Sequence, residues 1–209
     1  MFEAWRRRVR RRQLKDDAYA FLFETYDGDE VVVFDTETTG LDPRRDEVIS
    51  IGAVKVKGNR ILTSETFEVF LKTTRPIAKE SIEVHGIRPC DLDDAMAPYE
   101  AIGKFLEFIG PRPLVGYYLE FDVAMINNYL RPWLGITLPN PRTEVSGLYF
   151  DKANSLIPQG NIDLRFDTIL TKLGLPAMGK HNAVNDAIMT AMIFIKLQNT
   201  TKLNQGERE

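Results

Sequence analysis

Asp35 and Glu37 stand two residues apart in Phe34-Asp35-Thr36-Glu37-Thr38-Thr39-Gly40, where the apolar run Val31–Phe34 ends. If that run is a strand, side chains at i and i+2 project from one face, and two carboxylates held that close repel. A divalent cation relieves the repulsion, and hard oxygen ligands suit Mg²⁺ or Mn²⁺. An Asp-x-Glu pair on its own also reads as a solvated strand end. Asp122 comes shortly after the apolar run Leu114-Val115-Gly116, where a helical pattern begins; it reads as a helix cap or as a further acid of the same site. His181 and Asp186 are five residues apart. Inside one helix they would be turned about 140° from each other, so shared chemistry needs His181 in the preceding loop, Asn182 as the cap and Asp186 in the first turn. Imidazole suits general-base work because it changes protonation near neutrality. His85, the other histidine, precedes Gly86 and is otherwise a turn residue.

The elements that must position these groups follow from periodicity. Val31–Phe34 reads as a buried strand entered from the polar run 27–30, with Gly40 and Pro43 punctuating the turn after it. Val48 to Val56 reads as a second strand, Gly58-Asn59 as a hairpin turn and 61–71 as a third strand. Helical spacing follows from Pro98 to Phe108, then a short strand at Leu114–Gly116, then a helix from Phe121 to Leu130 stopped by Pro132. Residues 163–173 and 183–198 have helical spacing, the first ending at Gly174. Three meander strands followed by helix–strand–helix units imply an α/β sandwich around a mixed sheet.

With 209 residues, 44% hydrophobic and 27% charged, the chain suits one soluble domain with a short appendage. The single cysteine, Cys90, excludes an intrachain disulfide framework and a cysteine zinc cluster. No run approaches the length of apolar sequence a membrane span needs, and no apolar core follows the first arginines as in a secretory signal. The expected location is cytoplasmic, with no membrane partner.

Taken alone, the formal net charge of -3 argues against a nucleic-acid partner. The charge is uneven, however. Residues 1–15 carry seven basic side chains (Arg6, Arg7, Arg8, Arg10, Arg11, Arg12 and Lys15) against Glu3, a +6 leader on a body of -9. Asp35, Glu37, Asp122 and Asp186 supply four of the body's negative charges. Phe2, Trp5 and Val9 would share a face if the leader is helical. Its arginines read as a nucleic-acid arm, as a docking segment for an acidic partner, as a solvated face paired with the body, or, less simply, as a membrane-surface helix.

Asp-x-Glu on the first strand, Phe121-Asp122 after a later strand and His181-x-x-x-x-Asp186 at the last helix occur in the order found in the DEDDh 3′–5′ exonucleases, which the chain resembles from about Val31 to about Leu197. That group includes the proofreading epsilon subunit of bacterial replicative polymerase, ribonuclease T and oligoribonuclease. The likeness extends to "EVISIGAVKV", "SIEVHGI" at 81–87 and "NIDLRFDTILTKLGLP" at 161–176. A sister subfamily has Tyr three residues before the last Asp; this chain has His at the other spacing.

The resemblance implies a ribonuclease H-like fold, a central mixed five-stranded sheet flanked by helices. It implies two divalent ions, Mg²⁺ or Mn²⁺, held by Asp35, Glu37, Asp122 and Asp186, with His181 as general base. It places Thr38, Leu41, His85 and Phe121 against the terminal nucleotide. The implied reaction releases nucleoside 5′-monophosphates from a free 3′ end, most simply single-stranded or frayed DNA. An RNA or short-oligonucleotide trimming enzyme, or a non-catalytic nucleic-acid-binding or partner-docking subunit, are the alternatives. A polymerase or other protein partner would engage the basic leader. Relatives often carry His-Asn where this chain has Tyr117-Tyr118, which leaves the grip on the terminal sugar and base open. The expected organisation is a basic helical extension at 1–27, an exonuclease domain at 28–200 and a tail at 201–209.

Overall fold

The computed structural model describes residues 2–154, 162–179 and 181–200. The expected tail at 201–209 and the shared face of Phe2 and Trp5 lie outside the described residues and side chains. The described elements form one five-stranded mixed sheet with helices on both faces. The strands are β1 (Glu30–Thr38), β2 (Val48–Lys57), β3 (Arg60–Phe70), β4 (Leu114–Gly116) and β5 (Arg142–Glu144), in spatial order β3-β2-β1-β4-β5. β1 is central, antiparallel to β2 and parallel to β4. The helices are α1 (Phe2–Arg11), α2 (Lys79–His85), α3 (Pro98–Ile109), α4 (Leu119–Leu134), α5 (Val145–Asn154), α6 (Phe166–Lys172) and α7 (Ala183–Asn199).

Side-chain alternation along β1 divides the core in two. Val32 and Phe34 join α3 and α4 in one cluster, and Val33 joins α5, α6 and α7 in the other. β2 is buried from Val48 to Val54 because it is covered on both sides. The β2–β3 hairpin turns at Gly58-Asn59, between the paired Lys57 and Arg60, with Gly58 in the left-handed region at φ +55°.

Several boundaries differ from the periodicity reading. β1 runs through Asp35 and Glu37 to Thr38, because β2 stays paired along that whole stretch. α4 starts at Leu119 and passes through Pro132. A proline in the last turn removes only one ladder hydrogen bond, and the helix ends at Gly135, whose φ of +71° suits a C-cap glycine. α6 begins at Phe166, because the Asp163 carboxylate accepts from Arg165 N and Thr168 Oγ1 and holds the preceding residues out of the helix. α2, β5, α5 and the 3₁₀ turn at Asp17–Phe23 had no separate signal.

The segment after α1 is tied to the body. Leu22 is fully buried, while Leu14, Tyr19, Phe21 and Phe23 pack on the α3–α4 core. Arg7 donates to the carbonyls of Phe23 and Glu24, Arg11 pairs with Asp17 at 2.8 Å, and Lys15 N donates to Leu134 O at 3.0 Å. No helix among the described residues is long and apolar enough to cross a membrane.

Candidate active site

β1 supplies two acids from one face. Asp35 is half-buried and Glu37 is 9% exposed. α7 brings the third. Asn182 caps it by accepting from Asn185 N at 3.0 Å, and Asp186 stands in its first turn. His181 precedes the cap with φ +60°, and its backbone N–H donates to Asp186 Oδ2 at 3.0 Å. The left-handed turn thus ties the loop before α7 to the acid inside it. Gly52, opposite Asp35 on β2, makes the approach of α7 possible: a Cβ there would stand 2.1 Å from Ala183 C and 2.2 Å from Val184 N. Carboxylate oxygens of Asp35, Glu37 and Asp186 lie within 4.8 Å of one another.

Asp122 arrives from the other side of β1. It is not the cap of α4; that place is taken by Tyr118, at φ 53°. Asp122 is 3% exposed, and its Oδ1 accepts from Thr36 N at 3.0 Å and Thr36 Oγ1 at 2.6 Å. The register explains this. β4 pairs only with Val32 and Val33, so the Thr36 N–H would otherwise be left without a partner on that side. Glu144, at the end of β5, fixes the start of α4 by accepting from Leu119 N at 2.8 Å and Tyr118 N at 3.2 Å.

Burial, followed by repulsion from Asp122, Glu37 and Asp186, drives Asp35 well above the usual carboxylate range. Burial, then Asp186 and Asp122, pushes Glu37 up to about 8. Burial raises Asp122 to about 7 although the Thr36 hydrogen bonds oppose it. Among the described residues, no Lys or Arg pairs with Asp35, Glu37 or Asp122. Three oxygen donors converging under such repulsion fit a hard divalent cation.

A cleft of about 280 Å³ opens over the cluster, lined by Asp35, His181, Asp186, Tyr117, Phe166 and Arg165 among others. The remaining predicted residues lie around β1's end with unequal exposure. Thr38 is buried and donates to Gly40 O at 2.7 Å. Leu41 projects into solvent, 85% exposed. His85 ends α2; its Nδ1 accepts from Ile87 N at 3.0 Å, and its buried Nε2 has no hydrogen-bond partner among the described residues. Burial lowers the His85 pKa, with the Thr38 backbone opposing the shift and His181 adding to it. Phe121 is half-buried and packs on the α3–α4 core.

Sequence reasoning missed Thr36, Glu144, Gly52, Phe166 and Arg165. Gly52 alone left a signal, a glycine inside a strand marking a close backbone approach. Tyr117 is explained by its contacts: its hydroxyl donates to Leu164 O at 3.0 Å and its ring stands 4.9 Å from Phe166.

Known proteins similar to this chain include an exonuclease family and DNA polymerase III proteins. The profile of an exonuclease family, RNase_T, matches residues 32–194. The chain is 31% identical over 203 residues to DNA polymerase III PolC-type of Thermotoga maritima, covering 94% of this chain and 14% of that protein. It is 32% identical over 166 residues to DNA polymerase III subunit epsilon of Aquifex aeolicus, covering 79% of each. The fold is that of E. coli exonuclease I in complex with a 5cy-dT13 oligonucleotide, at a TM-score of 0.69 and 14% identity, over 84% of this chain and 42% of that one. The chain therefore spans only a small part of the PolC-type relatives it matches. By the extent of the profile match and the likeness to the epsilon subunit, the chain belongs to the RNase_T exonuclease family.

Proposed function

We propose that residues 28–200 form a DEDDh-type 3′–5′ exonuclease domain that hydrolyses the terminal phosphodiester of single-stranded or frayed DNA, releasing nucleoside 5′-monophosphates. Residues 1–27 would be a basic extension and 201–209 a tail. The observation that carries the reading is the convergence of the Asp35, Glu37 and Asp186 carboxylates beside His181. Asp35, Glu37, Asp186 and, across β1, Asp122 would hold two divalent ions, Mg²⁺ or Mn²⁺. When bound, such ions clamp the phosphate oxygens and acidify water.

The chain's own groups do the rest. His181 takes a proton from the attacking water on a ring nitrogen as the water oxygen bonds to phosphorus and the bond to the leaving 3′ oxygen breaks, that oxygen taking up a proton from solvent water. Its backbone N–H, held by Asp186, fixes the loop from which the imidazole works. Thr36 orients Asp122 with two hydrogen bonds. Thr38, Leu41, His85 and Phe121 would receive the terminal nucleotide, with exposed Leu41 the apolar surface for a base. The epsilon-type relative supports DNA over RNA and a polymerase as protein partner.

The test is Asp35→Ala on a 5′-labelled single strand with Mg²⁺, folding being checked by circular dichroism. Activity should fall more than about 100-fold, beyond what loss of an outer-shell partner costs. Full residual activity overturns the assignment. Matched single-stranded DNA, mismatched-primer DNA and RNA, each with Mg²⁺ and Mn²⁺, set the substrate class.

A further inference from the structure

A second cavity, of about 600 Å³, opens between the start of α3 and the end of α4, lined by Tyr19, Tyr99, Glu100, Pro132 and Trp133. Its rings meet edge to face: Tyr19 and Trp133 are 5.0 Å apart at 72°, Tyr99 and Trp133 5.4 Å apart at 69°. Tyr99 keeps 50% of its surface open. Rings that are fixed by one another yet exposed are prepared to take a flat ligand.

The charge beside this groove comes from α1. Arg7 and Arg11, one turn apart, are committed to the Phe23 and Glu24 carbonyls and to Asp17. Arg8 and Arg12, also one turn apart, are exposed and make no ion pair among the described residues. The chain leaving α1 runs onto the groove: Lys15 Nζ donates to the carbonyl of Pro132 at 3.1 Å. The nearby acids are largely engaged. Glu100 pairs with Lys104 at 3.2 Å, Asp17 with Arg11, and Asp16 accepts from Ala18 N at 3.0 Å; Glu107 acts on Tyr19 from a distance. Against the charges of Asp16 and Glu107 stand Lys15 at the groove's edge and Arg8 and Arg12 on the segment that leads to it.

We propose that the groove of Tyr19, Tyr99 and Trp133, with Lys15 at its edge and Arg8 and Arg12 on the segment that leads to it, is a second contact for single-stranded nucleic acid, upstream of the end held at the acidic cluster. Aromatic platforms bordered by unpaired guanidinium groups match a strand's bases and phosphates together. An acidic peptide would use the arginines but leave the rings without a role. The two sites share α4: Asp122 and Trp133 are eleven residues apart on it, about 16 Å along the axis. At the stacked spacing that is about five nucleotides. Tyr129 lies between them, its ring 6.1 Å from Tyr99 and its hydroxyl accepting from Val48 N, the residue paired with Thr38. The identification of the upstream strand rests on the exonuclease reading; the binding surface does not.

The experiment uses the full chain and a labelled oligothymidylate of about fifteen nucleotides, the scale of a single-strand binding site, in EDTA so that nothing is cleaved. Arg8→Glu/Arg12→Glu and Tyr99→Ala should each weaken binding by about tenfold, with melting temperatures like the parent's. The slope of log affinity against log salt should fall by about 1.4 in the double arginine variant. Arg8→Lys/Arg12→Lys should restore the slope, and Tyr99→Phe should keep the affinity. With Mg²⁺, the variants should slow degradation of the long strand and leave a trinucleotide unaffected. Unchanged affinity and slope, or an equal loss on the trinucleotide, overturns the proposal. Polyglutamate displacing the strand as well as unlabelled strand does would also overturn it, assigning the surface to an acidic protein. If the parent protein cleaves neither strand, the exonuclease reading fails, while the binding measurements in EDTA still decide the groove.

Discussion

Glu37 and Glu47 lie on either side of the same loop, one at the end of β1 and the other just before β2, and the fold treats them in opposite ways. Glu47 accepts from Thr73 Oγ1 at 2.7 Å, Thr74 N at 2.8 Å and Thr74 Oγ1 at 2.8 Å. Burial pushes its pKa up, but these donors outweigh it and leave it below the ordinary value. Among the described residues, nothing donates a hydrogen bond to the carboxylate of Glu37, and burial with two like charges pushes it up to about 8. The fold can satisfy a partly buried carboxylate, and twenty-six residues beyond Glu47 it supplies Thr73 to do so. At Asp35 and Glu37 it brings further acids instead. A structural acid has its donors in the chain; an acid left bare among others is arranged for a cation from outside.

The comparison is broken most severely by removing the group that stands beside the bare acids without being one of them. His181→Ala should lower kcat by about 10²–10⁴-fold, the usual contribution of a positioned base. Mn²⁺ affinity, followed by titration calorimetry, should stay near the parent's because the carboxylates remain. A collapse of metal affinity with normal turnover at saturating metal would make His181 a ligand.

Stability sharpens the same contrast. Carboxyl groups whose folded pKa lies above the unfolded value hold protons better when folded, so the stability they contribute is present at low pH and lost as pH rises through the folded value. For Glu37 that window runs from 4.5 to about 8, and for Asp122 from 3.8 to about 7, with Asp35 acting in the same direction. Glu47 has the opposite sign and loses its contribution as pH falls through its lowered value. Urea melts in EDTA should therefore show stability declining between about pH 5 and pH 8 by on the order of a few kcal/mol. Mg²⁺ should restore most of it at the upper end, and Asp35→Asn should flatten the metal-free decline. A level profile in EDTA would mean the acids are not bare.

Much of this site could be read from residue order because it depends on local periods. Strand alternation puts Asp35 and Glu37 on one face, and helix arithmetic separates His181 from Asp186 by a cap at Asn182. What could not be read depends on chain segments far apart. Thr36 matters because β4 is too short to reach it, and Glu144 matters because β5 ends beside the start of α4. α2 has no buried residue in the structure, so it carries no strong apolar stripe, and β5 has only three residues. Pro132 marked the end of a helix correctly to within one turn, but the stop itself is made by Gly135.

Asp122 is the intermediate case between Glu47 and Glu37, since it is buried among acids yet keeps two donors from one residue. Thr36→Val removes the 2.6 Å hydroxyl bond and leaves the backbone one. Loss of a hydrogen bond to the charged form raises a carboxylate's pKa, so the ascending limb of the pH–rate profile should move to higher pH. Activity at neutral pH should fall by about 10–100-fold, as for other outer-shell partners. An unmoved limb would mean that the Thr36 N–H alone holds Asp122 in its charged form.

The smallest effect is expected at Tyr117. Tyr117→Phe removes the hydroxyl bond to Leu164 O but keeps the ring against Phe166. Stability should fall by about 1 kcal/mol, the net worth of one such bond. Turnover per folded molecule should stay within about threefold, because the hydroxyl is occupied by the chain's own carbonyl and is not free for substrate. Steady-state kinetics on a single strand reads this directly. A rise in KM of tenfold or more, without loss of stability, would show that the hydroxyl leaves Leu164 when a strand binds, making Tyr117 part of the grip on the terminal nucleotide.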